Sequence, residues 1–281
     1  MNNKFVSQSV MSVQDFLEQT GRIWASYGHQ PSSDSHASKE LISFARPESI
    51  GTAYSQGMTL IEVAADYGFA LKNTLTEPAQ SIAPWTCVRG CLEASALSMW
   101  LLDSKIDARE RVKRSLAFRY EGLEQQAKFA QATKGKINPN DIEKRIDQIE
   151  QVAQGLGFPK IIDRNNKRIG AGQKMLPITQ IVIEMLDKEQ NYRLLSAMVH
   201  AHPWALQHFG FIQTHTDQMI FENVKGAYFE KHISLDSINF LCVETIQCIF
   251  QALKTNFELF GWDFKPIALA AKIAIDKIHI E

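Results

Sequence analysis

The chain has 281 residues, with 30 basic and 31 acidic side chains, a formal charge of −1 and an apolar fraction of 45%. That composition excludes a disulfide-stapled miniprotein and a chain disordered along its length, because a core of this size offsets the entropy of ordering. The charge balance excludes attachment to nucleic acid by bulk charge and leaves only local basic patches for such a role.

The N-terminal stretch MNNKFVSQSVMSVQDFLEQ lacks the apolar run and small-residue cleavage site of a secretory signal. The longest apolar segment, Trp85 to Leu102, is interrupted by Arg89 and Glu93 and does not read as a membrane span. The expectation is a soluble cytoplasmic protein with no membrane contact. The four cysteines, Cys87, Cys91, Cys242 and Cys248, are too few for a disulfide framework and read as reduced, buried thiols. Cys87 and Cys91 share a helical face, but no second pair stands at zinc-ribbon spacing, so neither metal nor cofactor is expected.

The dominant period is helical. Val13, Phe16, Leu17, Ile23 and Trp24 mark a first amphipathic helix, and the serine-rich stretch from Gln30 to Lys39 reads as a loop. Met58 to Leu71 forms a second helix ending before Pro78. The run from Trp85 to Leu102, opened by Pro84, is apolar nearly all round and belongs at the centre of a bundle. A charged helix spans about 107–132. Asn138 and Pro139 then supply the N-cap and first position of another helix, which ends at Gly155 and Gly157. Together they predict an antiparallel charged hairpin over about 107–157, projecting from the body. IIDRNNKRIG predicts a short hairpin or irregular loop near 158–174, turning at Asn165-Asn166. Helix resumes from Ile178 to His200 with a break near Lys188-Glu189. Residues 210–232 show no clear period, and helices follow from Leu235 to Phe260 and from Pro266. The fold class expected is all-α, a single helical domain over 1–281.

Two sets of polar residues stand out on apolar helices. Arg89 and Glu93, four apart, point the same way; they either line a polar pocket or form a buried ion pair. On NYRLLSAMVHAHPW, Arg193, Ser196 and His200 share one face, because seven residues make almost two turns. His200 exchanges protons near neutrality, and a guanidinium beside it suits the charge that develops on a phosphate under attack. The plainer alternative is a core histidine capping a helix C-terminus. His200 and His202 are a poor pair for one helical face, although a helix end could bring them together. Glu-x-x-His pairs, which a di-iron bundle requires, do not occur. Basic residues cluster at Lys160, Arg164, Lys167, Arg168 and Lys174, with Asp163 the acid among them. A second cluster runs from Lys105 to Arg119. Either cluster is a phosphate-holding surface or simply a solvated one.

The stretches VRGCLEASALSMWLLD and YRLLSAMVHAHPWAL resemble two signature helices of a group of bacterial all-α proteins. In that group an Arg-x-x-x-Glu helix precedes one reading Tyr-x-x-Leu-Ser-x-x-x-His. The group is similar to the HEPN superfamily, whose helical bundles often dimerise and in many members cleave RNA without metal. Six residues separate Arg193 from His200, the upper limit of the HEPN spacing. Leu194 follows Arg193 where active members usually carry a polar residue. The resemblance implies a HEPN-like bundle with a catalytic set of Arg89, Glu93, Arg193, Ser196 and His200. Tyr192, His202 and the loop residues Arg164, Lys167 and Arg168 would hold an RNA or nucleotide. The alternatives are a non-catalytic module that binds a nucleotide or a partner protein through the charged hairpin, and a helical enzyme acting on a small or metal-bound substrate. A homodimer is an expectation of the resemblance alone.

Overall fold

Capping and apolar spacing set the elements of the computed structural model, which describes residues 3–76, 78–133, 138–221 and 224–278. Helix α1 is Asn3–Ser26, with Val13, Phe16 and Leu17 buried. Helix α2, His36–Ser43, starts inside the stretch expected to be a loop, because Ser35 caps it by accepting the Ser38 N–H at 3.1 Å. Helix α3 is Pro47–Leu75 and α4 is Ala83–Leu102, both opened by a proline in the first turn. Helix α5, Ala108–Ala132, is capped by Asp107, and α6, Pro139–Gly155, by Asn138. The strands β1, Lys160–Ile162, and β2, Arg168–Ala171, pair antiparallel around a turn with Asn166 at φ +59°. Helices α7, Ile178–Leu186, and α8, Glu189–Val199, are separated by Asp187 in the left-handed region. A single turn, α9 at Pro203–Ala205, runs into a π-helical turn at Leu206–Gly210. The second hairpin comprises β3, Phe211–Phe221, and β4, Val224–Lys231. Helices α10, Leu235–Phe260, and α11, Lys265–Ile278, close the described chain.

The protein is thus mostly helical, 73%, with eleven helices among the described residues packed as a bundle and two small two-stranded hairpins. The expected all-α class holds for the bundle. It misses the β3–β4 hairpin, whose residues alternate too weakly between apolar and polar for the period to show. As its composition implies, α4 is central, packing against α3, α10, α7, α8 and α5. The α3–α4 approach is close because Gly57 has no side chain. A Cβ there would lie 2.4 Å from the Leu102 Cγ, and Ser98 Oγ donates to the Gly57 carbonyl at 2.8 Å. Helices α1 and α11 pack on one another and on α10, while α7 and α8 cover another flank of α4.

The charged hairpin forms, but its first half does not project. Arg111, Val112, Ser115 and Leu116 are buried as α5 packs on α3 and α4. Arg111 was expected on a charged, phosphate-holding or solvated surface and is instead fully buried. Its Nε and Nη2 donate to Glu40 of α2 at 2.9 and 3.1 Å, while Nη1 donates to the Leu101 carbonyl at 2.7 Å and Nη2 to that of Asp103 at 3.0 Å. The two carbonyls belong to the end of α4, where backbone acceptors lack helical partners. Tyr54 of α3 donates to the same carboxylate at 2.6 Å. Burial, and then the bond to Glu40, push the Tyr54 hydroxyl far above its ordinary value, so it stays a donor. Other basic residues of the cluster also serve the fold. Arg109 donates to the Leu156 and Gly157 carbonyls at 3.1 and 3.2 Å, closing the end of α6, and Arg114 donates to Trp100 O at 2.8 Å.

Candidate functional site

Helix α8 is fixed at its start, along its buried face and at its end. At the start, Lys188 Nζ donates to Glu244 Oε1 and Gln247 Oε1 of α10 at 2.8 and 2.7 Å. Along the buried face, Tyr192, Leu195 and Met198 sink into the core beside α4. Tyr192 carries the polar link between the two signature stretches: its hydroxyl donates to Glu93 Oε1 at 2.9 Å and accepts from Arg89 Nη2 at 3.4 Å. Arg89 and Glu93 also pair with each other at 3.0 Å. Neither is wholly withdrawn from water, since their side chains keep 23% and 28% of their exposure. Burial works against the charge of Arg89, but the Tyr192 hydroxyl and the Glu93 carboxylate outweigh it and raise its pKa.

The end of α8 brings its two histidines together. His200 is the C-cap, Ala201 takes a left-handed backbone with φ +54°, and the His202 N–H reaches back to the Ala197 carbonyl at 2.9 Å. With the Ala201 N–H on the Met198 carbonyl at 3.1 Å, this is the pairing of a Schellman stop, made with alanine at the position glycine usually occupies. The reversed chain sets the His200 and His202 rings 6.4 Å apart, edge to face. The two-residue spacing that disfavours a shared helical face is therefore overcome by the turn. His200 is exposed, so it is not a core histidine, although it does cap the helix as that alternative required.

These residues line one open cavity of about 420 Å³. Arg89 comes from α4, Arg193, Ser196 and Tyr192 from α8, and His200, His202 and Trp204 from the turn beyond it. Thr179 of α7 completes the wall. Sequence reasoning missed Thr179 and Trp204. Trp204, 51% exposed, had a signal in its place two residues after His202; Thr179 had none, and reaches the cavity only because α7 and α8 both pack on α4. Glu93 is not part of the wall; it acts on the cavity through Tyr192 and Arg89. Arg193, 68% exposed, is drawn back along its helix by Glu189, whose Oε1 accepts from Nε and Nη2 at 2.9 and 2.7 Å. The cavity offers two cations, two imidazoles and three hydroxyls, a set suited to gripping a tetrahedral anion and moving protons about it.

The loop residues expected to join this site do not. Arg164 and Lys167 are exposed on the β1–β2 turn, and neither they nor Arg168 line the cavity. Arg168 is engaged by Glu143, by Asp147 at 2.6 Å and by Glu150 at 3.7 Å, acids of α6 that are distant in sequence. The cysteines are free; Cys91, Cys242 and Cys248 are buried, and burial pushes the Cys91 and Cys242 thiols up to about 12, so they stay protonated at neutral pH. Among the described residues, no three His, Cys, Asp or Glu side chains converge as metal ligands, and no helix is long and apolar enough to cross a membrane. Comparison with protein-family models, with curated proteins and with solved structures finds no match to this chain.

Proposed function

We propose that the α4–α8 cavity binds a phosphodiester of single-stranded RNA and cleaves it with the protein's own side chains. The observation that carries this reading is the convergence of Arg89, Arg193, His200 and His202 on one open cavity. His200 takes the proton of the ribose 2′-hydroxyl, and the 2′-oxygen attacks phosphorus. His202, as imidazolium, gives its proton to the departing 5′-oxygen. The products are a 2′,3′-cyclic phosphate and a 5′-hydroxyl end. Arg193 and Arg89 face the charge on the phosphorane, Trp204 offers a ring for a base to stack on, and Glu93 is a positioning residue that holds Arg89 and Tyr192. The Arg-to-His spacing on α8 is the basis for the further proposal that this bundle is HEPN-like.

A second reading, non-catalytic nucleotide binding, is favoured by the Arg193–Glu189 pair, which already satisfies the guanidinium. Incubation of single-stranded RNA with the protein in EDTA separates the two. Fragments with cyclic phosphate ends are expected; intact RNA held by the protein supports the second reading, and RNA neither bound nor cut overturns both. Because an exposed i,i+4 pair contributes only a few tenths of a kcal/mol, Glu189→Gln is expected to tighten RNA binding by about twofold, read by fluorescence anisotropy. Weaker binding in that variant would contradict a role for Glu189 as competitor.

A further inference from the structure

A second polar cleft, of about 310 Å³, lies between α5 and α6. Arg119, Gly122, Leu123 and Gln126 follow one another at i, i+3, i+4 and i+7, and Arg145, Gln148 and Ile149 at i, i+3 and i+4. Each set is therefore one helical face, and the two faces look at each other across the hairpin. Leu123 and Ile149 form a buried floor, and Arg145 Nη1 donates to Gln126 Oε1 at 2.9 Å. Gly122 keeps one wall open, since a Cβ there would meet nothing within 4 Å.

The hairpin is rich in acids, yet none pairs with these two arginines among the described residues. Glu143, Asp147 and Glu150 are turned to Arg168, and Asp141 to Lys144 at 3.7 Å. Glu121 accepts from Gln125 at 2.7 Å and Glu124 from Tyr120 at 3.5 Å. Two guanidiniums are left sharing one cleft. Both arginines stand exposed at the rim of the cleft, where partial desolvation, and then the charge of Arg145, hold the pKa of Arg119 below its ordinary value. An anion seated between them removes that repulsion, and a guanidinium fork matches phosphate oxygens two at a time.

We infer that the α5–α6 cleft binds the phosphate of a small phosphomonoester, gripped by Arg119 and Arg145 and completed by amide donors of Gln126 and Gln148. The absence of an aromatic wall and the closed floor suit a compact ligand better than a nucleic-acid strand. This site shares no residue with the α4–α8 cavity and does not rest on the reading given for it.

The test is an NMR titration with inorganic phosphate, following the backbone amide of Gly122. A saturable shift is expected in the full chain and in Arg193→Gln. Arg119→Gln and Arg145→Gln are each expected to weaken it by about tenfold or more. Gly122→Leu, which fills the cleft without changing charge, is expected to abolish the saturable phosphate shift, followed at the neighbouring Leu123 amide, while leaving the helical circular dichroism unchanged. No saturable shift at Gly122, an unchanged affinity in both arginine variants, or a shift with an RNA oligonucleotide but not with phosphate would each overturn the assignment.

Discussion

Arg111→Ala is expected to lower the free energy of unfolding by about 3–5 kcal/mol, read as a lower denaturant midpoint with an unchanged slope. The variant leaves the Glu40 carboxylate, 4% exposed, facing only Tyr54 and His36 in the interior, and it orphans the Leu101 and Asp103 carbonyls at the end of α4. Arg111→Lys keeps the charge but loses the planar fork that reaches carboxylate and carbonyls together, so it is expected to fall between wild type and alanine. The informative control is the double variant Arg111→Met with Glu40→Leu. Removing both charges also removes their desolvation cost, and most of the stability is expected to return. A double variant no more stable than Arg111→Ala would show that the carbonyl bonds, not the ion pair, hold this junction of α2, α4 and α5.

That network also shows where sequence reading stopped. Arg111 stands among charged residues on a helix of low mean hydropathy, and composition assigns it to the surface. Its register says otherwise: Arg111 and Ser115 are one turn apart beside Val112 and Leu116, the face that packs on α3 and α4. The surroundings of Arg168 were hidden for a different reason. Its local sequence is basic, and the acids that engage it come from α6, through a tertiary contact that no spacing rule anticipates. Caps were legible to the residue where local chemistry alone decides them, as at Asn138-Pro139, and the break between α7 and α8 was legible only approximately, falling at Asp187-Lys188 rather than Lys188-Glu189. The start of α2 was hidden because serine favours loops and N-caps alike, and only the following turn distinguishes the two. Of the site, the shared face of Arg193, Ser196 and His200 followed from periodicity. The approach of His202 did not, because it depends on a non-glycine residue adopting a left-handed backbone at Ala201.

The second large effect concerns catalysis. His200→Ala is expected to slow RNA cleavage by about 10²–10⁴-fold, the usual contribution of a positioned general base, with little change in RNA affinity. The side chain is exposed and caps its helix through the backbone N–H, so circular dichroism and the unfolding midpoint are expected to stay close to wild type. His202→Ala is expected to show a similar loss on RNA. A substrate whose leaving group needs no proton, such as a ribonucleotide 3′-nitrophenyl phosphate, discriminates the two roles. With it, His202→Ala is expected to regain most of its rate while His200→Ala stays slow, as their assignments as acid and base require. Equal rescue of both variants would mean that the roles are wrongly divided, and undiminished RNA cleavage by His200→Ala would remove it from the chemistry.

The catalytic reading requires that two imidazoles and two guanidiniums serve one phosphate. Titrating protein labelled with ¹⁵N-histidine against a 2′-deoxy dinucleotide, which binds without being cut, addresses it directly. The ring resonances of His200 and His202 should move together along a single saturation curve, and Arg193→Gln should shift that curve to higher ligand concentration. Binding of the dinucleotide with both rings unmoved, or with the two saturating at separate concentrations, would contradict the account.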